Sequence, residues 1–60
     1  MVNISETLRE VKLDWFIWMG HKYQDRRLER FTQIYVVEKG DLLEIREPVS
    51  RNLVCTLRKQ

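Results

Sequence analysis

The sequence holds one cysteine, one proline, two glycines and one histidine. A lone thiol, Cys55, makes no internal disulfide, and with His21 it completes the supply of soft ligands, so no metal site is expected. Two isolated glycines leave no phosphate-binding loop and no dinucleotide fingerprint, so no cofactor is expected either. The longest uninterrupted apolar stretch, Trp15 to Met19, falls far short of a membrane span. No apolar signal segment follows the N-terminus, which together with the unpaired cysteine gives a reduced, cytoplasmic setting as the expectation. Repeats and low-complexity tracts are missing as well.

Charge of one sign is not in large excess, with eleven basic and nine acidic groups giving a formal +2. The distribution is less even than the total. Residues 1–20 carry −1, residues 21–30 carry +2, residues 31–50 carry −2 and residues 51–60 carry +3. Basic side chains thus gather in a middle segment and again at the end of the chain.

What is present suits one small domain over residues 1–60. Trp15, Phe16, Trp18, Tyr23, Phe31 and Tyr35 join Leu8, Val11, Leu43, Ile45, Leu53 and Leu57 in an apolar set too rich for disorder. Asn3 and Glu6 have capping-box spacing, and Ile4, Leu8, Val11, Trp15 and Trp18 recur at intervals of four and three. That spacing predicts a helix ending near Gly20. The rival reading is a strand over 11–19, with Val11, Leu13, Trp15, Ile17 and Met19 on one face. A second short helix is expected from about Asp25, with Lys22, Arg26 and Arg30 in line on its outer side. Gln33–Val37 and Leu42–Arg46 read as a hairpin around Gly40, and Leu53–Arg58 as a third strand with Leu53, Cys55 and Leu57 facing inward. The expected fold is α+β, with one or two N-terminal helices packed on a three-stranded antiparallel β-meander; a small all-β barrel is the alternative.

No nucleophile stands beside a base. Cys55 alternates between leucines as a small hydrophobe, and His21 has no orienting partner. Glu6 with Glu10, and Asp25 with Glu29, sit among arginines as ordinary salt-bridging pairs. The expectation is therefore a non-enzymatic regulatory binding protein. Lys22, Tyr23, Arg26, Arg27, Arg30, Arg51, Arg58 and Lys59 form a candidate surface for DNA or RNA phosphates, since arginine forks match phosphate oxygens. Tyr23 and Tyr35 are candidate stacking rings for single strands. The alternative function is a protein-binding regulator or inhibitor using an aromatic-rich surface of Leu13, Phe16, Ile17 and Trp18. A chain this short has limited interior, so a homodimer is expected as well.

Overall fold

The computed structural model describes residues 5–60, and the Asn3 and Ile4 positions of the expected helix start lie outside them. Six strands follow in chain order: β1 (Ser5–Glu10), β2 (Trp15–Trp18), β3 (His21–Gln24), β4 (Gln33–Lys39), β5 (Leu42–Arg46) and β6 (Leu53–Arg58), with one 3₁₀ turn at Arg26–Leu28 between β3 and β4. The α+β expectation is wrong: the described chain is all-β, the class of the alternative reading, and neither N-terminal helix forms. One antiparallel sheet has the order β1-β4-β5-β6, and the β2–β3 hairpin makes a second, two-stranded sheet.

Two tight turns explain why the helical spacing misleads. Lys12 and Trp15 exchange backbone hydrogen bonds of 2.9 and 3.0 Å around Leu13 and Asp14, whose φ angles are +55° and +84°. Trp18 pairs with His21 around Met19 and Gly20, at φ +52° and +80°. Left-handed angles at both central residues define the type I′ hairpin turn, whose twist matches that of the flanking strands. Each such turn pairs residue i with residue i+3, so the inward parity changes from odd to even and back. Val11, Phe16, Trp18 and Tyr23 therefore all point inward, while Trp15 and Ile17 point out. The strand reading of 11–19 fails for the same reason, because it carries one parity through both turns.

The expected second helix shrinks to a single turn. Asp25 caps it by accepting from the backbone N–H of Arg27 at 2.9 Å. Only Leu28 turns inward, fully buried. One buried side chain between Asp25 and Arg30 gives a longer helix no apolar face to stand on.

The meander over β4, β5 and β6 follows the sequence. Lys39 pairs with Leu42 around Gly40, whose φ of +54° suits the first position of a type II′ turn. One detail needs correction. A bulge lies between β5 and β6, with Ile45 opposite Cys55 but Arg46 opposite Leu53. The extra residue, Val54, packs against the core, and Leu53 turns outward and is half exposed instead of lining up with Cys55 and Leu57.

The core lies between the two sheets. Phe16 and Tyr23 stack at 5.4 Å between centroids and pack with Trp18, Leu28, Ile34, Val36, Leu43, Ile45 and Cys55. Burial pushes the Cys55 thiol above its ordinary range, so the reactive thiolate is suppressed by desolvation. A thiol reagent is expected to modify native Cys55 roughly 100-fold more slowly than the unfolded chain, the factor set by a global stability of about 3 kcal/mol. Reaction at the unfolded rate in native buffer would contradict this burial.

Candidate functional site

The basic residues named from the sequence do not form one patch. Arg26, Arg27 and Arg30 line a concavity of about 290 Å³ with Glu29 and Val54. Within it Arg27 is already committed, its Nε and Nη2 donating to the Asp25 carboxylate at 2.8 and 2.6 Å. These bonds hold the Asp25 carboxyl below the usual carboxylate range. The Arg30 guanidinium lies 4.8 Å from the Phe31 ring centre. Lys22 stands apart, on the outer face of the β2–β3 hairpin, with its Nζ 4.5 Å from the centre of the Trp15 ring.

The remaining cations sit elsewhere. Arg51, held in the left-handed region at φ +64°, donates to Glu6 at 2.8 Å and lies 4.4 Å from the centre of the Tyr35 ring, on the outer face of the large sheet. Arg58 shares that face through its pairing with Leu42. Lys59 is paired with Glu38 at 2.6 Å, which holds the Glu38 carboxyl below its ordinary range. Tyr23 is 4% exposed and its hydroxyl accepts from the Gln60 backbone N–H, so its ring is core and not a stacking platform. The Tyr35 ring has Arg51 over it.

The aromatic surface is likewise divided. Phe16 and Trp18 lie in the core, so neither is open to a partner. Leu13 and Ile17 are exposed, at 87% and 46%. Ile17 lines a concavity of about 400 Å³ together with Leu8, Arg9, Glu10, Lys12 and Trp15, and Leu13 lies in the turn between Lys12 and Trp15.

This cleft arises from how β2 leaves β1. After the Lys12–Trp15 bridge the two strands part, and no further β1–β2 bridge follows among the described residues. Leu8 on the outer face of β1, 46% exposed, then meets Trp15 and Ile17 on the outer face of the hairpin. The Leu13 turn is tied down on its far side, where Asp14 C=O accepts from the Asp25 N–H at 3.1 Å. A bulky apolar residue at positive φ in a fixed turn, with its side chain in solvent, is strained without a packing gain inside the chain. Leu8 and Trp15 were missed as surface residues from the sequence. The signal for Trp15 was the turn at Leu13-Asp14, which reverses its parity, but that pair lacks the usual glycine.

Among the described residues no group of three or more histidine, cysteine or acidic side chains is placed to hold a metal ion. No helix of the described chain is long and apolar enough to cross a membrane. Comparison with protein-family models, with curated proteins and with solved structures gives no match.

Proposed function

We propose that this chain is a small non-enzymatic binding protein that docks a protein partner at the β1–β2 cleft. The observation that carries the reading is the convergence of Leu8, Trp15 and Ile17 at the place where two strands separate, with the exposed Leu13 in the turn that joins them. Scattered single apolar residues are normal on a surface, whereas a cluster rimmed by Arg9, Glu10 and Lys12 has the apolar centre and polar rim of an interface. Tryptophan and arginine also anchor interfaces efficiently.

The second reading is contact with nucleic-acid phosphates through Arg26 and Arg30. It is favoured by one observation, their shared concavity, in which Arg26 has no carboxylate partner among the described residues. Lys22, Arg51, Arg58 and Lys59 add little there, because each stands on another part of the surface.

The two readings separate in one experiment. Ile17→Glu places a charge in the cleft without touching the core and is expected to abolish a nuclease-resistant complex recovered from cells, while Arg26→Gln with Arg30→Gln leaves it intact. A complex that disappears on nuclease treatment, weakens steeply with salt and survives Ile17→Glu would overturn the protein-docking reading in favour of phosphate contact.

A further inference from the structure

The direction of the backbone groups along β1 says how a partner is held at this cleft. Val11 N–H donates across to Thr32 C=O at 2.9 Å, toward the β4 side, whereas Lys12 bonds with Trp15, on the opposite side. Backbone direction alternates along a strand, so odd positions of β1 face β4 and even positions face away. Glu6, Leu8 and Glu10 therefore present N–H and C=O groups along the free edge of the sheet. None of these groups has a partner among the described residues. The free edge opens into the cleft because β2 has peeled away from it.

We infer that β1 accepts an extended segment of another protein as an additional antiparallel strand, carrying an apolar residue opposite Leu8 and a basic residue opposite Glu10. This rests on the docking reading above and specifies its mode. Strand addition supplies affinity through main-chain hydrogen bonds and specificity through alternate side chains. On the outer face the alternate side chains of β1 are Glu6, Leu8 and Glu10, of which Glu6 is already paired with Arg51 at 2.8 Å and Glu10 has no cation partner among the described residues. Opposite charges directly across a strand pair stabilise it, and like charges oppose it.

The same series argues against a second copy as the occupant. Full antiparallel overlap of β1 with its own copy, centred on Leu8, sets Glu6 against Glu10 twice. A shift of one register step toward the turn, with Glu10 opposite Leu8 of the copy, sets Arg9 against itself on the other face. Acidic guards on an edge are a common defence against self-pairing. A guest with a basic residue opposite Glu10 is admitted by the charge that opposes the copy.

The probe is a seven-residue peptide of alternating threonines, with lysine, valine and lysine at its second, fourth and sixth positions. A matched peptide carries glutamate in place of both lysines. At saturating lysine peptide, amide exchange at Leu8 and Glu10 is expected to slow by roughly tenfold or more, with no such change for the glutamate peptide. N-methylation of the peptide valine removes its hydrogen bond to Leu8 and is expected to abolish the protection. Leu8→Pro removes only an outward N–H, which an edge strand tolerates, and is expected to leave the fold intact while ending strand addition. The peptide arm decides the question if that variant does not fold.

Peptide binding that shifts Trp15 and Ile17 but leaves exchange at Leu8 and Glu10 unchanged would overturn strand addition while the docking reading stands. No binding by the lysine peptide at millimolar concentration would also overturn it. Slowed exchange that depends on protein concentration, with no peptide present, would give the edge to a second copy and overturn the heterologous guest.

Discussion

Phe16→Ala is expected to leave the protein largely unfolded at room temperature. The ring is 1% exposed, stacks on Tyr23 and stands at the centre of the packing between the two sheets. Truncating a buried phenylalanine removes its transfer free energy and leaves a cavity, together worth about 3–5 kcal/mol. A domain this short, with no disulfide among its residues, has a total stability of about the same size. The control is the next residue. Ile17→Ala truncates a side chain of similar bulk on the outer face of the same strand and is expected to change stability by about 0.5 kcal/mol or less. Urea unfolding followed by tryptophan fluorescence compares the two. Similar losses at both positions would contradict the inward parity assigned to β2.

The second large effect is expected at Leu28. It is the only buried side chain of the 3₁₀ turn, fully enclosed, and it anchors a segment that is otherwise charged. Leu28→Ala is expected to cost about 2–5 kcal/mol. The loss has a local signature, because the Phe31 N–H is bonded to the Leu28 carbonyl at 2.9 Å. Amide exchange at Phe31 should rise in the variant before exchange in β4 and β5 does. Arg26→Ala removes an exposed neighbour and should leave both stability and exchange nearly unchanged. Uniform acceleration across all strands, with no early loss at Phe31, would mean that the turn does not open on its own.

These two residues also mark where the sequence was legible. The β4–β5–β6 meander could be read because β-branched runs are separated by a glycine turn and a proline-containing turn, each sufficient to reverse the chain. The first half could not, because its reversals use Leu13-Asp14 and Met19-Gly20. Only one of those four residues is glycine, and Gly20 serves equally well as a helix end. Two reversals close together produced an apolar spacing of three and four that a helix also produces. The site followed the same division. Leu13 and Ile17 were placed outward under the helix reading and are outward here, whereas Phe16 and Trp18, named with them, are core. The basic cluster dissolved because Lys22, Arg26 and Arg30 align only if a helix carries them, and β3 ends before the turn begins.

The strand order has a consequence during synthesis. β1 is made before β4, its sheet neighbour among the described residues, and both the β2–β3 hairpin and the 3₁₀ turn are made in between. Local hairpins close quickly and distant pairings close slowly, so β1 is made early and joined late. Until β4 is made, the backbone groups of β1 that will bond to it are left to water.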